Sequence, residues 1–293
     1  MMKTNSIQLN QVLYKAKELF FDDNQRRYLG LSGVLPDFLI VGAQKAGTTS
    51  LYYYLKQHPQ IMGASQNEVH FFDYKFHKGL LLYKSYFPTQ REIYQKQEKL
   101  EKKVLTGETS PYYLFHPLVP KRIATLLPEV KIIIILRNPV ARTYSHYQHE
   151  VRKGRETLTF EEALKQEKNR LKGEVDKIMS KENYYSYNHA CFAYIERSKY
   201  IEQIKKYCEL LKQENLLILS SEEFFYNPQE VYNEVLKFLG LDSFSIMDKN
   251  PKNVGSYNKT AIPLENKLRE YYQPYNQQLY DYLQKDFGWS SNG

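Results

Sequence analysis

The stretch Phe38-Leu-Ile-Val-Gly-Ala-Gln-Lys-Ala-Gly-Thr-Thr-Ser-Leu51 constrains this chain more than any other. An apolar run, a glycine loop and a hydroxyl-rich helix start follow one another without a gap, which is how a buried strand turning directly into a helix is written. Such a junction cradles an anion. Gly42 and Gly47 let the backbone turn tightly and come close to a ligand, Gln44, Lys45 and Ala46 fill the loop between them, and Thr48, Thr49 and Ser50 offer N–H groups and hydroxyls at the positive end of the helix. The spacing from Gly42 to Gly47 meets the first half of G-x-x-x-x-G-K-[ST], but Thr48 and Thr49 follow the second glycine and the lysine lies inside the loop, at Lys45. A nucleoside triphosphatase needs that lysine after the second glycine, and a Ser/Thr on magnesium. The loop predicts a phosphate site of a related but different kind.

A second block, Ile132-Ile-Ile-Ile-Leu-Arg-Asn-Pro-Val-Ala-Arg-Thr-Tyr-Ser-His-Tyr147, pairs an apolar strand with Arg137 and, eight residues on, Ser145. Arginine gives a planar, permanently charged fork for phosphate oxygens, and serine adds a short donor from the next helix. The two blocks together resemble the 5′-phosphosulfate loop and the 3′-phosphate motif of sulfotransferases that use 3′-phosphoadenosine 5′-phosphosulfate (PAPS). Asn67-Glu-Val-His-Phe-Phe-Asp73 is similar to a segment of the heparan-sulfate, glycan-acting branch of that family. By that resemblance Glu68 is the catalytic base, and His70 and Asp73 are acceptor-side groups. Arg197-Ser-Lys-Tyr-Ile-Glu-Gln-Ile204 resembles the family pattern Arg-Gly-x-Tyr-x-x-Gln-Leu, which places Tyr200 near the nucleotide; Ser198 stands in place of the glycine. His149 resembles an N-sulfotransferase position near the active site and is a secondary catalytic candidate. Thr109 stands where 3-O-sulfating heparan enzymes carry a lysine. The resemblance spans about Asp37 to Gly240, and a loop before the last helix, at Gly255 to Lys259, is its candidate for closing the cofactor site.

The resemblance implies a P-loop-like, three-layer α/β/α fold with a central parallel sheet. The residues point the same way: strands are read at Phe38–Val41, Val104–Gly107, Lys131–Leu136 and Leu216–Leu219, with helices between them, and such alternation argues for a parallel sheet covered on both faces. Helices are read from Thr48 to before Pro59, at Pro117–Leu127, Val140–Lys153 and Phe160–Leu171, in a segment ending at Gly240, and from Pro263 to Leu283. Residues 7–21 carry apolar positions at helical spacing and suggest an amphipathic helix in a lead-in covering 1–36, with the sulfotransferase domain at 37–293. Residues 165–188 are charged, then tyrosine-rich, and lack clean periodicity, so they read as a flap over the acceptor site.

The net charge of +8, from 41 Lys and Arg against 33 Asp and Glu, favours anionic partners, which an anionic nucleotide and an acidic glycan both satisfy. Nucleic acid is the rival reading, but the lysines are scattered rather than striped and no helix-turn-helix, zinc-finger or RNP signature is present. Two cysteines, Cys191 and Cys208, make no disulfide framework. His146 and His149 have metal-ligand spacing but no evident third ligand, and no metal is expected. The longest strongly apolar run is far below the ~20 residues needed to span a bilayer, and Met1 to Phe21 has no signal-peptide core, so a soluble, cytoplasmic enzyme of bacterial type is expected. The expected reaction moves a sulfuryl group from PAPS to an acceptor hydroxyl, more readily than to an amine, with Lys45 stabilising the leaving phosphate oxygen. A saccharide is the favoured acceptor. A lipid, a polyketide or another small alcohol is the alternative acceptor, and a P-loop small-molecule kinase or a nucleotide-binding protein without transfer activity is the alternative function.

Overall fold

The computed structural model describes residues 23–252 and 262–289. Its centre is a five-stranded sheet of β1 (Phe38–Gly42), β2 (Ile61–Gly63), β3 (Leu105–Thr109), β4 (Lys131–Leu136) and β5 (Leu216–Ser220). The strands lie in the order β2-β3-β1-β4-β5, and every pairing is parallel. β1 and β3 are buried along their whole length, as is β4 after Lys131, which is why β1 and β4 read as continuous apolar runs rather than alternating ones. From β1 the chain builds β2 and β3 on one side and then crosses to β4 and β5 on the other. The gap between β1 and β4 is therefore the topological switch point, where an open α/β sheet leaves a crevice at the carboxyl ends of its strands.

The three-layer α/β reading holds, and the strand positions fall within two residues of those expected. The short edge strand β2 has no counterpart in the sequence reading, since three residues are too few to show a period. The helix Gln90–Leu100 carries no apolar face to announce it, because Ile93 is its one buried residue; its start is nevertheless written as Thr89-x-x-Glu92, which forms a capping box in both directions. The segment 165–188, read as a flap, is helical over most of its first part. Its first part continues the helix Phe160–Leu171, and a further helix, Glu174–Ser180, follows. Glu174 gathers Lys177 at 2.7 Å, the Tyr184 hydroxyl at 2.8 Å and the Ser186 hydroxyl, so the non-helical tyrosine-rich turn after this helix is tied to one buried carboxylate. The amphipathic segment at 7–21 and the loop at Gly255 to Lys259 lie outside the described residues.

Close packing across the sheet has one sharp test. A Cβ added at Gly107 in β3 would stand 2.6 Å from three atoms of the fully buried Phe38 ring. Gly107→Ala is expected to destabilise the protein by about 1–3 kcal/mol through overpacking. Denaturant unfolding checks it, and an unchanged midpoint would contradict this packing.

Candidate active site

β1 ends in the loop that the sequence singled out. Lys45 takes φ 73° and Gly47 φ 107°, both left-handed, a conformation rare outside glycine that persists at Lys45 only because neighbours hold it. Those neighbours come from β4 and its exit: Ala43 N–H donates to the Ile135 carbonyl at 2.7 Å, and Arg137 Nη1 donates to the Lys45 carbonyl at 3.0 Å. Gly47 is also required by space, since a Cβ there would meet the Phe225 ring at 3.0 Å. The helix Thr48–Leu55 then begins with no side-chain cap, leaving its first amides for a ligand. Across the crevice, Asn138 caps the helix Pro139–Arg152 by accepting from Val140 N at 3.0 Å and Ala141 N at 3.2 Å, which starts the turn that carries Ser145 and His149 inward.

A cavity of about 500 Å³ lies between these elements. It brings together Gln44, Lys45, Gly47, Thr48, Thr49, Glu68, Arg137, Ser145 and His149 from three separate stretches of the sequence. Three of the residues expected at the nucleotide stand behind its wall. Ala46 is buried beneath the loop. Ser50 uses its hydroxyl to accept from the Lys252 N–H at 2.9 Å and to donate to the Lys252 carbonyl at 3.3 Å. Tyr200 is buried and donates to the Arg137 carbonyl at 2.8 Å, so it braces the arginine. In turn the cavity contains residues that sequence reasoning missed, among them Glu222, Phe225 and Lys252. The Ser50 staple brings Lys252 there across about two hundred positions, and no local pattern announces such a contact.

Burial, followed by the charges of Arg152, Arg137 and Lys153, pushes the Lys45 ammonium down to about 8. A site that crowds cations in this way is relieved when an anion enters. His149 feels the same field: burial first, then Lys45, Lys153 and Arg152, press its ring down to about 3, so it is neutral. His146, one turn earlier, is wholly buried with neither ring nitrogen hydrogen-bonded, its Nε2 3.6 Å from Glu150 Oε1, and burial holds it well below its usual range. Among the described residues no group of three His, Cys, Asp or Glu side chains is placed to hold a metal ion.

A smaller cavity of about 170 Å³ adjoins the first, and Gln44, Glu68 and Pro111 border both. His70 lines it, with Nε2 3.1 Å from Glu68 Oε2 and Nδ1 2.6 Å from Asp73 Oδ2. Burial alone would lower the His70 pKa, but the two carboxylates raise it to about 9, so an imidazolium sits between them. Burial likewise pushes Glu68 up, and the bond and charge of His70, with Lys153 and His149, overcome it and leave the carboxyl below its ordinary range. Asp73 is buried behind His70 and does not line the cavity. Tyr74 stacks on the His70 ring at 4.8 Å and Tyr185 meets Tyr74 edge-on at 5.0 Å, while Lys153 and Arg155 add positive charge to the wall.

The turn that presents these groups is an irregular one, Phe71–Lys75, entered through His70 at φ 56°. Its amides are anchored from β3: His70 N–H donates to Ser110 Oγ at 3.2 Å and Phe71 N–H to the Tyr113 hydroxyl at 2.8 Å. Both hydroxyls donate to the fully buried Glu108, at 2.7 and 3.0 Å, and Arg122 holds the Phe72 and Asp73 carbonyls at 2.8 and 2.6 Å. Thr109, next to Glu108, is buried within the sheet and reaches neither cavity. Ser198 accepts from the buried Arg142 Nε and pairs with Thr143 Oγ1 at 2.9 Å, so the residue standing in for glycine serves internal polar pairing.

Comparison with known proteins agrees with this geometry. The family model for the sulfotransferase domain matches residues 35–273. The chain is 26% identical over 322 residues to "Membrane-associated sulfotransferase kil1" of Dictyostelium discoideum, covering 88% of this chain and 67% of that protein. It is 26% identical over 280 residues to mouse "Heparan sulfate glucosamine 3-O-sulfotransferase 3B1", covering 87% of this chain and 65% of that protein. The chain thus spans about two thirds of the length of these curated relatives. Among solved structures, a sulfotransferase from Alicyclobacillus acidocaldarius is 29% identical with a TM-score of 0.66, covering 88% of this chain and all of that one. No helix among the described residues is long and apolar enough to cross a membrane. With the family model covering most of the chain and the phosphate cradle, crevice and parallel sheet in place, this chain belongs to the sulfotransferase family.

Proposed function

We propose that this protein transfers a sulfuryl group from PAPS to a saccharide hydroxyl, using Lys45 at the leaving phosphate and Glu68 as the base. The observation that carries the reading is Glu68 at the border of two adjoining cavities, one built on the phosphate cradle and the other on His70 and the tyrosine rim. In the larger cavity the Thr48 and Thr49 amides and Lys45 would hold the 5′ end of the nucleotide, and Arg137 with Ser145 its 3′-phosphate. The ionised Glu68 carboxylate is the form able to accept the acceptor's proton, and His70 keeps it oriented. The new bond joins the acceptor oxygen to sulfur, the bond from sulfur to the phosphate oxygen breaks, and the electron pair stays on that oxygen beside Lys45.

The acceptor assignment rests on the smaller cavity: Tyr74 and Tyr185 line it with aromatic surface suited to a sugar ring, and Lys153 and Arg155 favour one carrying acidic groups. The relatives named for heparan sulfate support the same class. A cytoplasmic location is part of the proposal and agrees with two cysteines that are not joined to each other.

The test couples nucleotide binding to an acceptor screen. Adenosine 3′,5′-bisphosphate should bind at least about tenfold more tightly than adenosine 5′-phosphate, and Arg137→Met should remove most of that preference, because the 3′-phosphate loses its charge-assisted partner. With labelled PAPS, transfer to an acidic polysaccharide should show a Michaelis constant that rises with salt, as contacts are screened over a Debye length of ~10 Å at 0.1 M. Equal nucleotide affinities would overturn the cofactor reading. Transfer to phenols, sterols or carrier-bound chains alone would overturn the saccharide.

A further inference from the structure

We propose that Gln44 is a further catalytic residue, donating a hydrogen bond to the sulfonate as it crosses from nucleotide to acceptor, and that Arg197 is the residue that positions it. This rests on the sulfuryl-transfer reading above. Gln44 borders both cavities, as Glu68 does. Its amide orientation is determined by chemistry: Arg197 Nη1 bonds the Gln44 Oε1, and since a guanidinium has only donors the Gln44 oxygen must face it. The amide nitrogen is then the free end. Among the described residues no hydrogen bond engages it, and it is not sealed off from solvent, so its two N–H groups are available at the junction that Gln44 borders.

Arg197 is held rigidly in place behind Gln44. Only 1% exposed, it donates from Nη2 to the His189 and Ala190 carbonyls at 2.9 Å each, and its guanidinium lies over the Tyr112 and Phe115 rings at 5.0 Å. None of these partners is a carboxylate. A buried cation bonded to the amide oxygen polarises the amide and strengthens its N–H groups as donors. During transfer the sulfonate leaves the phosphate oxygen and bonds the acceptor oxygen, whose proton passes to Glu68, while its own three oxygens keep their charge. A fixed donor between the two cavities contacts those oxygens at mid-transfer, where stabilisation raises turnover rather than affinity.

Gln44→Met keeps the side-chain length and removes the donor; Gln44→Glu replaces the donor with an anion. Gln44→Met should lower kcat by about tenfold to a hundredfold, and Gln44→Glu by more. Adenosine 3′,5′-bisphosphate, which carries no sulfonate, should keep its affinity within about twofold in calorimetry, which also counts folded sites. Arg197→Lys should lower kcat in the unaltered protein but have little further effect in the Gln44→Met background, because its action passes through Gln44. A Gln44→Met kcat within about twofold of the unaltered enzyme overturns the proposal, as does a loss of bisphosphate affinity parallel to the loss of kcat. Failure of the unaltered enzyme to transfer from PAPS is a different result, and overturns the reaction itself.

Discussion

Lys45→Ala is expected to lower turnover by about 10²–10³-fold, the size of effect seen when one preorganised donor to a developing oxyanion is lost. The fold should survive, because the Lys45 contact to Arg137 is made by its backbone carbonyl and not by the side chain removed. The alkaline limb of the pH profile gives an independent reading. With its pKa pressed down to about 8 by burial and by Arg152, Arg137 and Lys153, Lys45 is charged below that pH and loses its proton above it. The kcat/KM for PAPS, which reports the free enzyme, should therefore fall as pH rises through about 8. A bound anion offsets the neighbouring cations and raises the Lys45 pKa, so kcat should fall only at higher pH. Turnover of Lys45→Ala near that of the unaltered enzyme would remove this lysine from the chemistry.

Glu68→Gln is expected to cost about 10²–10⁴-fold in turnover with adenosine 3′,5′-bisphosphate affinity unchanged, since the amide keeps the shape and loses only the proton acceptor. Because the Glu68 pKa lies below its ordinary range, the base stays ionised through mildly acidic pH, and no acid limb from this group should appear above about pH 5. His70 remains an imidazolium up to about 9, so its hold on Glu68 persists across the same window. Steady-state rates from pH 5 to 9 with single-turnover controls check both points. Substantial transfer by Glu68→Gln would pass the role of base to another group. His149 is the neutral ring that lines the same nucleotide cavity.

How much of this site could be read beforehand depends on whether each residue's task is local. The cradle was legible because its function is carried by backbone geometry over a few consecutive positions: apolar strand, two glycines, helix start. Arg137 and Ser145 were legible for the same reason, since strand, Asn138-Pro139 cap and first helical turns follow in order. The roles of Ser50, Ala46 and Tyr200 were not, because their surroundings come from elsewhere. Ser50 faces Lys252 and Tyr200 faces the Arg137 carbonyl, so a hydroxyl that looks available in sequence is already engaged in space.

The sequence by itself determined the class of fold, the strand–loop–helix cradle and the short segment holding Glu68, His70 and Asp73, because hydrophobic runs, glycine freedom and helix caps act over distances of a few residues. Only the tertiary structure decided which of those groups line the two cavities. Parallel pairing of β1 with β4 sets Lys45 beside Arg137, the anchoring of the Phe71–Lys75 turn on Glu108 points His70 at Glu68, and the buried Arg197 holds the Gln44 amide oxygen. Each of these depends on a partner distant in the chain, and such a contact exists only once burial has brought both sides together.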